Sequence, residues 1–114
     1  MADAARRQPV DRWVAALLAI AAVFLLSNLH SGYLWQDEAE TALLARHTLE
    51  FGYPKVSDGH NYIEEAVHGH GPGEAWIYSP WLPFYLLAGV FAVAGESTWT
   101  ARFPFALLGC SAFF

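Results

Sequence analysis

The sequence predicts an all-α membrane protein, with two transmembrane helices plus the start of a third, and a short helix and irregular outer loop between the first two. Three observations predict it. The chain is 55% hydrophobic and only 15% charged, where an average soluble domain carries roughly 25% charged residues. The missing charge is absent from three blocks, residues 13–36, 75–95 and 103–114. Aromatic residues gather at the block ends, with Trp13 at one end of the first block and Tyr33 and Trp35 at the other, as at a membrane interface.

The elements follow in order. Residues 1–12 form a basic tail with Arg6, Arg7 and Arg12. Residues 13–36 carry no formal charge and are long enough to cross a hydrocarbon core of about 30 Å. A cleaved signal peptide is the competing reading. Against it, Leu26-Ser27-Asn28-Leu29-His30 offers no small-x-small cleavage site.

Residues 37–79 form the outer segment. Acidic residues crowd the start of a helix over 37–51, and Arg46 and His47 stand nearer its end, matching the helix dipole. Gly52 suits the position after the last turn. Leu43, Leu44, Leu49 and Phe51 share no single stripe, as packing on more than one side would explain. Beyond Tyr53, Gly, Pro, His and Asp dominate and predict loop. The second span covers 80–95, with Pro80 and Pro83 in a first turn that tolerates proline. Trp76, Tyr78, Trp81 and Tyr85 mark its outer end. Residues 96–102 connect it to a third span that begins at Phe103 and is still apolar at Phe114, which reads as a truncated chain.

Lys and Arg in short loops set orientation. Arg6, Arg7 and Arg12 put the N-terminus in the cytoplasm, Arg102 puts 96–102 there too, and residues 37–79 lie outside. An integral protein of the bacterial inner (plasma) membrane is expected. Net charge is −5, and the outer segment holds Asp37, Glu38, Glu40, Glu50, Asp58, Glu64, Glu65 and Glu74 against Arg46 and Lys55. A nucleic-acid partner would want the opposite sign. Cys110 is the sole cysteine, so no internal disulfide forms.

Three constellations could carry chemistry. In Trp35-Gln36-Asp37-Glu38, Asp37 as N-cap with Glu40 three residues on resembles a capping box. A carboxylate at the outer end of a membrane helix can also be tuned for proton abstraction, with Glu38 opposing ionisation of both. His60, His68 and His70, with Asp58, Glu64 and Glu65 nearby, could chelate a metal, because His-x-His puts both rings on one side of an extended segment. A solvated His/Gly loop is the plainer reading. Arg102 before Phe103-Pro104 reads as a topology determinant or a lipid-headgroup contact. No Walker motif, Gly-x-Gly-x-x-Gly, nucleophile elbow or His-Glu-x-x-His occurs.

The order of motifs resembles a known family. Trp35-Gln36-Asp37-Glu38-Ala39-Glu40 is followed by Ala42-Leu43-Leu44-Ala45 and Leu49-Glu50-Phe51-Gly52-Tyr53-Pro54. Then come Tyr78-Ser79-Pro80-Trp81-Leu82-Pro83-Phe84-Tyr85-Leu86 and Gly95-Glu96-Ser97-Thr98-Trp99-Thr100-Ala101-Arg102-Phe103-Pro104. Over residues 13–114 this is similar to the N-terminal region of the GT-C membrane glycosyltransferases, of the dolichyl-phosphate-mannose protein mannosyltransferase and aminoarabinose transferase type (glycosyltransferase family 39). The resemblance implies transfer of a sugar from a polyprenyl-phosphate donor to an acceptor hydroxyl with inversion. It puts Asp37 on the family's acidic position, with Glu38 beside it, as catalytic residues. It implies the donor and the bilayer as partners, and leaves the acceptor open. No cofactor is fixed, and a divalent metal stays open. Some relatives carry Lys-Pro-Pro before the second span; here Tyr78-Ser79-Pro80 supplies no cation. A donor and acceptor need a cavity walled by more than two helices, so these 114 residues alone are expected to be inactive. A non-catalytic membrane subunit and a metal-binding outer loop are the alternatives.

Overall fold

A computed structural model describes residues 11–112. Four α-helices carry the fold: α1 (Arg12–Ser27), α2 (Gln36–Phe51), α3 (Leu82–Ala94) and α4 (Thr98–Ser111). Two 3₁₀ turns, Glu64–His68 and Pro72–Glu74, lie between α2 and α3.

The expected transmembrane spans are not there. No helix among the described residues is long and apolar enough to cross a membrane. The uncharged block 13–36 becomes a helix of 16 residues, broken after Ser27. At 1.5 Å per residue that is about 24 Å, short of the roughly 30 Å hydrocarbon core. Of the 80–95 block, only the 13 residues of α3 are helical. Where the third span was expected, α4 starts at Thr98, not Phe103, and takes in most of the expected connection. Its start is set by Ser97: its hydroxyl accepts from the Thr100 amide at 3.1 Å, and its own amide donates to Thr100 Oγ1 at 2.8 Å. This reciprocal pair is a capping box with threonine in the acid's place. The basic tail of residues 1–10 and its three-arginine orientation signal lie outside the described residues, Arg12 excepted.

The alternation of inside and outside segments also fails. Arg102, expected on the cytoplasmic side, bonds Glu38 of the supposed outer segment at 2.8 Å. Arg46 of α2 lies 3.9 Å from Glu96 in the same expected connection. The two segments therefore touch each other directly.

Helix α2 is packed on two sides, which accounts for its scattered leucines. On one side Leu44 joins Val56, Ile63, Ala66, Trp76 and Phe84 in a cluster of buried side chains. On the other, Ala45 meets Leu87, Ala88 and Phe91 of α3 and Ala101 of α4. The first cluster draws four of its six members, Val56, Ile63, Ala66 and Trp76, from the expected irregular loop. That segment is tied down by backbone bonds from Val56 to Glu74 (2.8 Å), Trp76 to Pro54 (2.9 Å) and Ile63 to Val56 (3.1 Å). Only α1 stands apart: none of its residues is buried.

Of the aromatic girdle expected before α3, Trp76 is buried while Tyr78, Trp81 and Tyr85 stay exposed. Trp76 is 3% exposed. The Tyr53, Tyr78 and Tyr85 hydroxyls donate to the carbonyls of Gly73, Gly69 and Gly52, and the Trp81 indole donates to the Trp76 carbonyl. These bonds tie the loop together and fasten Tyr85 of α3 to the end of α2.

Candidate functional site

The chain enters α2 through Trp35, whose extended backbone makes it the N-cap. Asp37 is therefore not the cap, as its spacing to Glu40 had suggested. Glu38 takes the reaching-back role: its carboxylate accepts from the Trp35 amide at 2.9 Å. The cap stands two residues earlier than the acidic run implies, because Glu38, not Glu40, is the third residue beyond it.

Glu38 is held from a second direction. Arg102 Nε lies 3.1 Å from both its carboxylate oxygens, and Nη2 lies 2.8 Å from Oε2. The same guanidinium donates to the carbonyls of Leu29, Ser31 and Tyr33. A guanidinium has five N–H groups, and these acceptors occupy all of them. Arg102 thus clamps the α1–α2 turn and the start of α2 onto α4. Its guanidinium holds the Glu38 carboxyl below the usual range, with the Trp35 amide assisting and partial burial opposing. The carboxylate in turn raises Arg102.

Beside this clamp lies a cleft of about 550 Å³. Leu25 and Leu29, Pro83, and Phe105 with Gly109 give it apolar walls, and Asp37, Glu38 and Arg102 stand on its rim. Glu38 and Arg102 are engaged with each other. Asp37 is the exposed carboxylate left over, on the first turn of α2.

A second acidic feature escaped the sequence. Glu40 of α2 meets Glu65 of the first 3₁₀ turn, 25 positions on, across a hollow also lined by Glu64 and Ile63. Burial, then the hydrogen bond and charge of Glu65, then the charge of Asp37, push the Glu40 carboxyl up from 4.5 to about 7. Nothing in local spacing shows this pair; only the turn of the loop brings it together.

The histidines part company. His60, His68 and His70 are exposed. His68 ends a 3₁₀ turn and Gly69 follows at φ 151°, so the segment is not the extended strand that would align two rings. Among the described residues no group of three or more His, Cys, Asp or Glu side chains is placed to hold a metal ion. Asp58 instead caps its own turn, accepting from the amides of His60 (2.8 Å) and Asn61 (2.6 Å) and from the Asn61 side chain (2.9 Å). These bonds hold its carboxyl well below the usual range.

Comparison with protein-family models, with characterised proteins and with solved structures finds no match for the chain.

Proposed function

We propose that this chain contributes the base-bearing part of a glycosyltransferase that moves a sugar from a polyprenyl-phosphate donor to an acceptor hydroxyl. One observation carries the reading: an uncommitted carboxylate, Asp37, stands on the rim of an apolar cleft while its neighbour Glu38 is neutralised by Arg102. An apolar cleft suits a prenyl tail, and a free carboxylate at its edge suits proton abstraction.

The acceptor oxygen attacks the anomeric carbon, and the bond from that carbon to the phosphate oxygen breaks. Polyprenyl phosphate leaves with the electron pair, and the acceptor proton passes to Asp37. Glu38 is a positioning residue in this scheme; it fixes the first turn of α2 and so the place of Asp37. Arg102 has no N–H group left for the donor phosphate, which must be met by another cation.

The donor's lipid keeps the reaction at a membrane boundary. Helix α1, with Leu17, Ile20, Val23 and Phe24 exposed, is the apolar flank through which the chain meets that boundary, alongside it rather than across it.

The test is transfer from a polyprenyl-phosphate sugar by membranes of cells expressing the gene for this chain. Asp37→Asn should lower transfer by about 10²–10⁴-fold, the usual contribution of a general base, at unchanged protein level. Undiminished transfer would remove Asp37 from the chemistry.

A further inference from the structure

The buried ring of His47, further along α2, is a second place where charge matters. Its side chain is fully buried. Nδ1 lies 2.5 Å from the carbonyl oxygen of Lys55. A carbonyl only accepts, so Nδ1 carries a proton. In a neutral ring Nε2 is then a bare lone pair. Nε2 has no hydrogen-bond partner, yet it points at Asp58 Oδ2, 3.5 Å away.

Asp58 cannot turn away or offer a proton. Its oxygens are occupied by three donors from His60 and Asn61, which hold it as an anion. In the neutral form, then, a lone pair faces a carboxylate inside the protein. One added proton on Nε2 converts this clash into a charge-assisted hydrogen bond. The other groups around the ring do not compete. The Lys55 ammonium is drawn to Glu74 at 3.4 Å and over the Phe51 ring at 4.6 Å, and Phe51 itself meets His47 edge-on.

We infer that His47 and Asp58 form a proton-operated latch that fastens the 55–62 loop to α2. With a second proton on the ring both nitrogens donate, one to Lys55 and one to Asp58, and the loop is held at two points. Without that proton only the Lys55 bond remains. The latch strengthens on acidification and loosens as pH rises. Val56 in the loop and Ile63 just after it are buried against Leu44 of α2, so the latch controls how firmly that cluster is closed.

The test is amide hydrogen exchange on the full chain at pH 5.5 and 8, corrected for intrinsic rates, with imidazole nitrogen shifts recorded alongside. The amide of Ile63, which donates to Val56, should be about tenfold better protected at the lower pH, the scale of a hydrogen bond to a charged group. Asp58→Asn should remove that difference. Should this variant fail to fold, the wild-type imidazole decides: both nitrogens protonated at pH 5.5 and Nδ1 alone at pH 8 support the latch. Equal corrected protection at both pH values in the wild type, or a ring singly protonated throughout, overturns it.

Discussion

Glu40 keeps its proton far above the ordinary range of a glutamate because its charge would be desolvated and would face Glu65. Its pKa rises from 4.5 to about 7 on folding. Between those values the folded chain binds more protons than the unfolded one, so stability falls as pH rises through the window. It is fully present below about pH 4.5 and lost above about pH 7, and the titration belongs to the pair rather than to one residue. Glu40→Gln, which cannot ionise, should flatten this slope and raise the denaturant midpoint at pH 8 while changing it little at pH 4.5. A variant with the wild-type slope would place the titration elsewhere. At this scale the sequence was partly readable. Asp37 and Glu38 stood out as a pair at a helix start. Their division of labour did not, because it depends on Arg102, 64 positions beyond Glu38. The His47–Asp58 contact was equally hidden, since the histidines that drew notice were the exposed ones.

Helices α1 and α2 are both 16 residues long and yet stand in opposite situations. The core is built on α2: Leu44 has no exposed surface. Leu44→Ala should therefore cost about 2–5 kcal/mol, the range for an internal leucine that leaves a cavity. Leu17→Ala on α1, where Leu17 is 66% exposed, should stay within about 0.5 kcal/mol. Urea unfolding of the two variants measures both. The α2 helix was legible from its dipole charges and from Gly52, which closes it at φ 83° with its amide on the Thr48 carbonyl. The error lay in equating uncharged length with helix length. Block 13–36 includes Asn28, Ser31 and Gly32, where the chain turns. Block 75–95 begins with segments that pair with the loop instead of coiling, as the Trp76 amide does with Pro54. Hydropathy counts apolar residues but does not say whether a protein core or a lipid covers them.

For the molecule as a whole, the uneven partition of apolar surface is the main fact. Two clusters surround α2, while Trp13, Leu17, Ile20, Val23 and Phe24 on α1 remain uncovered. An apolar flank of this kind marks a contact with another surface. If that surface is lipid, the chain should float with phosphatidylcholine vesicles in a density gradient. Replacing Leu17, Ile20 and Phe24 together by serine should lower the bound fraction by at least about a hundredfold, since each covered side chain contributes roughly 1.5–3 kcal/mol. Helix content by circular dichroism should hold. A wild-type chain that stays at the bottom of the gradient would end the membrane-boundary part of the functional reading. The all-helical character of the fold was open to sequence reasoning; its three-dimensional closure was not, because it runs through contacts between residues far apart in the chain.

The Arg102 clamp also bears on how the protein comes into being. A nascent chain emerges from its N-terminus, so Glu38 and the Leu29, Ser31 and Tyr33 carbonyls leave the ribosome well before the guanidinium they will share. Until position 102 has been synthesised, the turn after α1 has only water or a chaperone to satisfy it. Helix α1 is thus made before the residue that fastens the turn after it, and translation that stalls before α4 would leave that apolar segment unanchored.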